Sequence, residues 1–171
     1  WDALPVDRPL VYVSMGSSGN TSVMPSIIRG LEDLPVTTVI STAGAYSLTH
    51  RADRCFSADY LPASRVIDRA SMVIGNGGSM MLHQALKAGV PMLAIPSNMD
   101  QQMCIAPYVG LGAVRELRLA SVTPDTVHST VSDMIAQPSY RQAASAVAQQ
   151  LLACDTTQRF SQILATITGE T

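Results

Sequence analysis

A glycine-rich corner, GNGGS at residues 75–79, is the part of the sequence best suited to hold a ligand. An apolar run precedes it and a helix-forming run follows it, which predicts a tight turn from a strand into a helix. Glycines at such a turn let the backbone approach a ligand closely. The free N–H groups and the positive dipole end of the helix then favour a phosphate. A turn with a purely structural role is the alternative interpretation.

Two further segments carry polar groups that could contact a ligand. The segment MGSSGN (residues 15–20) contains Gly16 and Ser17 and could bring a second stretch of backbone close to the same ligand. Asp100 and Gln101 stand at the start of a predicted helix. A carboxylate beside an amide can hydrogen-bond to neighbouring hydroxyl groups, such as those of a sugar. Asp is also a favoured residue at helix N-termini, so a capping role is the alternative.

A nicotinamide cofactor is disfavoured for two specific reasons. The dinucleotide fingerprint GxGxxG fails from Gly75 onward, because Met80 stands in place of its third glycine. The second predicted strand also ends on Ser41 instead of an acidic residue that could bind a ribose.

The composition excludes other classes of function. The net charge is −2 and Lys and Arg are not clustered, so we expect no nucleic-acid partner. No apolar segment reaches the length of a membrane span. Cys55, Cys104 and Cys154 are odd in number and far apart, and the three histidines are equally scattered, so no metal site is predicted. Reduced thiols of this kind fit a cytoplasmic protein.

Short apolar blocks alternate with segments of helical periodicity along most of the chain. Blocks of this kind, buried on both faces, predict an α/β fold with a Rossmann-like, doubly wound parallel sheet of about six strands. Helical patterns after residue 120 predict three C-terminal helices, and residues 1–171 are expected to form one domain. The predicted strands are LVYVS (10–14), VTTVIS (36–41), RCFSAD (54–59), SMVIG (71–75), PMLAIP (91–96) and AVREL (113–117).

The polar segments all follow predicted strands. In a doubly wound sheet, ligands bind beyond the carboxyl ends of the strands, where the strand order switches. We therefore expect four loops to meet at one edge of the sheet. They are MGSSGN, SADYLP, GNGGSM and PSNMDQ.

With these loops in this order, the sequence resembles the C-terminal, donor-binding domain of the UDP-glycosyltransferases, inverting enzymes of the GT-B fold. The resemblance covers essentially the whole chain. Its most specific part is NGGSMMLHQALKAGVPMLAIPSNMDQQ (residues 76–102), which follows the family pattern HGGxGTxxEALxAGVPxxxxPxxxDQ.

The resemblance implies a donor site for a UDP- or dTDP-hexose, with no metal or other cofactor, and transfer to a hydroxyl group of a small-molecule acceptor. The pocket for the acceptor and the catalytic base are expected to belong to an N-terminal domain outside this chain, so no catalytic residue is assigned here. The implied diphosphate-binding residues are Gly16, Ser17, Asn76, Gly77, Gly78 and Ser79. Leu61, Pro62 and Gln84 are implied to contact the base and ribose, and Asp100 and Gln101 the sugar. His50, His83 and His128 are interpreted as structural or exposed.

The sequence departs from the family pattern at several positions near the donor. Asn76 replaces His, and Met80 and Met81 replace a Gly-Thr pair whose hydroxyl would contact a phosphate. Ala63 replaces a common Gln after the Leu-Pro of the base loop, and Cys104 replaces an Asn. These departures favour an unusual donor affinity or donor choice.

Two alternative functions remain at this point. The departures at the phosphate could mark a catalytically degenerate domain that acts as the partner or activator of another transferase. The nucleotide-sugar 2-epimerases share the GT-B architecture, but they lack the AGVP…DQ pattern found here, so they are the less favoured alternative.

Overall fold

The structure is a computed structural model, and it describes residue 5 and residues 7–47 and 54–169. Within these residues six strands form one parallel sheet in the spatial order β3-β2-β1-β4-β5-β6. The strands are β1 (Leu10–Ser14), β2 (Thr37–Ser41), β3 (Cys55–Ala58), β4 (Met72–Gly75), β5 (Met92–Ala94) and β6 (Val114–Glu116). The order and the direction of these strands confirm the predicted doubly wound, Rossmann-like sheet.

Seven α-helices lie in the described part of the chain, and the last three follow the sheet as predicted. They are α1 (Met24–Glu32), α2 (Ala63–Ile67), α3 (Ser79–Lys87), α4 (Met99–Gly110), α5 (Pro124–Ala136), α6 (Pro138–Ala153) and α7 (Thr156–Thr168).

Helices cover both faces of the sheet. Successive side chains of each strand point to opposite faces, so each central strand contributes to two cores. Val11 and Val13 of β1 pack into one core with residues of α1 and α5. Tyr12, between them, packs into a second core with residues of α2, α3, α4 and α6. Double burial explains why the central strands read as continuous apolar blocks.

Two elements are less buried than their sequences suggest. β3 forms one edge of the sheet, and its Phe56 is 36% exposed. Four apolar residues of α7, whose spacing places them on one face of the helix, are also exposed, and none of the described α7 residues is buried. These α7 residues are Phe160, Ile163, Leu164 and Ile167. Among the described helices, none combines the length and the apolar character that a membrane crossing needs.

Candidate functional site

The carboxyl ends of β1 and β4 lie side by side in the sheet, where Ser14 pairs with Gly75. From β1 the sheet grows through β2 and β3 on one side, and through β4, β5 and β6 on the other. The strand order therefore switches between β1 and β4, which opens a crevice between the loops that follow them. Residues 15–20 and 76–78 border this crevice, at the location predicted from the sequence.

The glycine corner after β4 forms a tight turn against α4. Gly77 has a φ of 77°, a left-handed conformation that glycine adopts without strain. A Cβ atom on Gly77 would lie 2.6 Å from Cγ2 of Ile105, so α4 leaves no space for a side chain. α3 then begins at Ser79, and its N-cap residue Gly78 provides no side-chain cap. The first backbone N–H groups of α3 are therefore directed toward the edge where β4 ends.

Asn76 joins the loops after β1 and β4, and its side chain is buried with 5% exposure. Its Oδ1 accepts a 3.0 Å hydrogen bond from the Gly78 N–H, and its Nδ2 donates a 3.3 Å bond to Oγ of Ser18. Gly16 has a φ of 60°, and a Cβ atom there would lie 3.7 Å from Nδ2 of Asn76. The fold therefore brings Gly16 beside Asn76, with the exposed Ser17 next along the loop.

The two members of the Asp-Gln pair point in different directions. Asp100 lies in the first turn of α4 and is exposed, whereas Gln101 is 1% exposed. Oε1 of Gln101 accepts hydrogen bonds of 2.7 and 3.1 Å from the N–H and the hydroxyl of Ser97. Its Nε2 donates a 3.4 Å bond to the carbonyl oxygen of Ser18. The Gln101 side chain thus faces the protein in this structure, whereas the sequence led us to expect that it faces a sugar.

The loops after β2 and β3 are also bonded to each other. The hydroxyl of Thr42 donates a 2.7 Å hydrogen bond to the carboxylate of Asp59, and the hydroxyl of Ser41 donates a 3.1 Å bond to the Asp59 carbonyl. The N–H of Ala43 donates to the same carbonyl at 2.8 Å. These bonds hold the start of the segment predicted to contact a nucleotide base.

The residues predicted to contact the base and the ribose lie on α3 and at the start of α2. Leu61 is half-buried against the core, and the exposed Pro62 is the N-cap residue of α2. Gln84 is half-buried on α3. Because α2 and α3 contact each other on one face of the sheet, the three residues lie on the same side of the fold.

Sequence reasoning missed the residues that join the loops, namely Ser18, Thr42, Asp59 and Ser97. Each follows shortly after the end of a parallel strand. A hydroxyl or carboxylate at such a position can bond to the next loop along the sheet edge. A position just after a predicted strand could therefore have identified these residues as candidates for bonds between loops. Only the strand order shows which loops are neighbours.

A buried phenol lies on β1, close to the crevice. Tyr12 is 1% exposed, and burial raises its pKa above the ordinary value of 10.0. Hydrogen bonds with Ser41 and Ser14 lower the pKa and offset part of that effect. Oγ of Ser14 also accepts a 3.3 Å hydrogen bond from the Gly16 N–H. The Ser14 hydroxyl therefore supports the first turn of the loop after β1.

The His83 side chain lies between α3 and α4. Its Nδ1 lies 2.8 Å from the carbonyl oxygen of Ser79 and must donate, since a carbonyl only accepts. Its Nε2 lies 3.5 Å from the hydroxyl of Tyr108 on α4. His128 is exposed on α5, on the opposite face of the sheet, and His50 lies outside the described residues. Where the structure describes the chain, no three His, Cys, Asp or Glu side chains could jointly hold a metal ion.

The fold has close counterparts among solved structures. The calicheamicin glycosyltransferase CalG4 matches 99% of this chain with a TM-score of 0.86 at 19% identity, over 46% of its own chain. The spinosyn rhamnosyltransferase SpnG complexed with thymidine diphosphate matches 90% of this chain with a TM-score of 0.77 at 21% identity, over 44% of its own chain. The fold is therefore that of the C-terminal domain of GT-B glycosyltransferases, which confirms the prediction from the sequence.

Sequence comparison leads to a particular family. The model of the erythromycin biosynthesis protein CIII-like C-terminal domain matches residues 43–167. The PGL/p-HBAD biosynthesis glycosyltransferase of Mycobacterium tuberculosis is 38% identical over 149 residues, which are 87% of this chain and 35% of that protein. The PGL/p-HBAD biosynthesis rhamnosyltransferase of Mycobacterium bovis is 38% identical over 148 residues, 86% of this chain and 33% of that protein. The chain belongs to the CIII-like C-terminal domain family, and it spans about a third of the length of these curated relatives.

Proposed function

We propose that this chain is the donor-binding half of an inverting glycosyltransferase that transfers a hexose from a UDP- or dTDP-sugar to a hydroxyl group of a small-molecule acceptor. One observation carries this proposal. The loops after β1 and β4 meet at the switch in strand order, next to the start of α4. This arrangement brings a glycine-lined helix N-terminus and an exposed carboxylate to the same edge of the sheet.

The diphosphate would bind at the N-terminus of α3. The backbone N–H groups of Ser79, Met80 and Met81, in the first turn of α3, lack partners within the helix, and the helix dipole favours an anion at this end. Gly16 leaves the backbone of the β1 loop open to close approach, and the exposed Ser17 follows it with a hydroxyl that could bind the anion. The same donors would stabilise the negative charge of the departing nucleoside diphosphate without a metal ion.

The remaining parts of the donor would lie on either side of this anion. The base and ribose would contact Leu61, Pro62 and Gln84, on the side of α2 and α3. The sugar would lie toward α4, where the exposed carboxylate of Asp100 can accept hydrogen bonds from its hydroxyl groups. The base that deprotonates the acceptor, and the acceptor pocket, would come from a further part of a longer protein.

The names of the relatives support sugar transfer as the reaction. Two of the relatives are a glycosyltransferase and a rhamnosyltransferase of PGL/p-HBAD biosynthesis. Two of the similar structures, SpnG and VinC, contain thymidine diphosphate or DTDP, which favours testing dTDP beside UDP. The UDP-glycosyltransferase 2 of Phaeomoniella chlamydospora, 28% identical over 168 residues, favours keeping UDP in the same test.

Calorimetric titration with UDP, dTDP, GDP and their glucose conjugates tests this proposal. We expect saturable binding of UDP or dTDP, with tighter binding of the matching sugar nucleotide. In Asp100→Ala, the sugar nucleotide should bind no more tightly than the nucleoside diphosphate. The affinity for the nucleoside diphosphate itself should be unchanged. A folded protein that binds none of these compounds would contradict the proposal.

A second candidate is a degenerate domain that activates a partner transferase, and the start of α3 favours it. Met80, where the pattern has Gly, is 76% exposed, and Met81, where the pattern has Thr, is half-buried against the core. The lost hydroxyl could have made a hydrogen bond to a phosphate worth about 1.5–3 kcal/mol. Titration of the unmodified, folded protein separates the two functions, because a working donor site binds a nucleotide sugar and a degenerate domain binds none.

A further inference from the structure

Two buried amides hold one residue of the β1 loop. Nδ2 of Asn76 donates to the hydroxyl of Ser18 at 3.3 Å, and Nε2 of Gln101 donates to the Ser18 carbonyl at 3.4 Å. The partners are 58 and 83 residues apart in sequence. Asn76 comes from the loop after β4 and Gln101 from the start of α4, so Ser18 connects three segments of the sheet edge.

The surroundings of Gln101 maintain this orientation. Its Oε1 is occupied by the N–H and the hydroxyl of Ser97, and its own backbone N–H donates to Oδ1 of Asn98 at 3.0 Å. A buried amide is costly when its groups lack hydrogen bonds. Turning the Gln101 side chain out toward a ligand would break the bonds to Ser97 and Ser18 together. Asn76 is restrained in a similar way, since its Oδ1 accepts from the Gly78 N–H.

We infer that Gln101 is a positioning residue for the diphosphate-binding loop. Gln101 acts through Ser18, which follows Gly16 and Ser17 directly in the chain. The bond to the Ser18 carbonyl holds this loop beside the N-terminus of α3. The inference rests on the proposed donor site, because it assigns Gln101 a role within that site.

Gln101→Glu tests the inference with little change in shape. The carboxylate keeps an acceptor for Ser97 but removes the N–H group that donates to Ser18. Gln102→Glu is the matched control, because Gln102 is exposed and adjacent and the change in charge is the same. Calorimetry would compare a nucleoside diphosphate with its glucose conjugate, using UDP or dTDP according to which binds the unmodified protein.

A positioning role predicts equal losses for the two ligands. Gln101→Glu should weaken binding of the nucleoside diphosphate and of its glucose conjugate by the same factor, roughly tenfold, as expected when a buried hydrogen bond is lost. Gln102→Glu should change neither. A loss confined to the glucose conjugate would assign Gln101 to the sugar and overturn the inference.

Hydrogen exchange measured without ligand separates this inference from the proposed function. Residues 15–20 should exchange faster in Gln101→Glu than in the unmodified protein or in Gln102→Glu, and unchanged exchange would overturn the inference. If the unmodified protein binds no nucleotide, the proposed function fails while the exchange result still decides whether Gln101 holds the loop. If Gln101→Glu does not fold, Gln101→Met takes its place in both comparisons, because it removes the N–H group that donates to the Ser18 carbonyl without adding a charge.

Discussion

The hydroxyl of Thr42 donates a 2.7 Å hydrogen bond to the carboxylate of Asp59, and this bond joins the loops after β2 and β3. A bond between a neutral donor and a charged acceptor contributes about 1.5–3 kcal/mol where it is shielded from water, and less where it is exposed. Because Leu61 and Pro62, which would contact the nucleotide base, follow Asp59 closely, the bond should also preserve the shape of that part of the site.

Thr42→Val should therefore lower both stability and nucleotide affinity. We expect a decrease of about 1 kcal/mol in the free energy of unfolding, measured by urea denaturation. The affinity for the nucleoside diphosphate should fall with it. Asp133→Asn is the control, because it removes only the exposed ion pair with Arg115 and should change the free energy of unfolding by less than about 0.5 kcal/mol. Equal effects of the two substitutions would contradict the role given to Thr42.

Asp100→Asn should separate sugar recognition from nucleotide recognition. The amide keeps the size of the side chain but loses the charge, so the affinity for the sugar nucleotide should fall by roughly tenfold. The affinity for the nucleoside diphosphate alone should not change. Asp125→Asn is a matched control, since Asp125 is also an exposed acid in the first turn of a helix but lies on α5. A decrease for both ligands in calorimetry would indicate that Asp100 only supports the start of α4.

Gly77→Ala should destabilise the glycine corner for two reasons. Alanine is strained at a φ of 77°, and its Cβ atom would lie 2.6 Å from the side chain of Ile105. We expect a loss of about 2–4 kcal/mol in the free energy of unfolding, together with loss of nucleotide binding. Gly110→Ala is the control in the last turn of α4, where a Cβ atom meets nothing within 4 Å. That substitution should be neutral or stabilise the protein by up to about 1 kcal/mol in urea denaturation.

The Tyr12 phenol should make the protein less stable at high pH. Its pKa in the folded protein is raised above 10.0 by burial, so the folded state holds this proton more tightly than the unfolded state. The contribution is complete below pH 10.0 and is lost as the pH rises through the higher pKa of the folded state. Tyr12→Phe has no proton to lose, so its free energy of unfolding should decline less steeply above this pH. Parallel declines in urea denaturation at pH 9 to 11 would contradict the assignment.

Removal of residues 155–171 should change the stability of the sheet very little. None of the described residues of α7 is buried, so their removal costs no core contact. Phe160 and Ile167 are 62% and 76% exposed, and shortening the chain should therefore reduce self-association. The midpoint of urea denaturation and the sedimentation profile, compared with the full chain, check these two expectations. A large drop in the midpoint would show that α7 packs on the domain in solution.

The sequence predicted the central fold well, because its signals are local and repeated. Short blocks rich in strand-forming residues identified all six parallel strands, and helical patterns after residue 120 identified α5, α6 and α7. The exposure of β3 and α7 was not predicted, because a pattern of apolar residues identifies a face but not what covers it. The glycine corner was predicted from the residue types alone, since Gly77 is the kind of residue that a left-handed turn requires.

The chain by itself therefore determined the class of fold, the position of the crevice and the place of Asp100 at the start of α4. The tertiary structure alone decided which loops meet, and with them the orientation of Gln101. Sequence patterns carry periodicity and local turn chemistry, but they do not show that Ser18 and Gln101, 83 residues apart, share a hydrogen bond. The switch in strand order brings these two loops together, and burial then requires that the amide find its partners inside the protein.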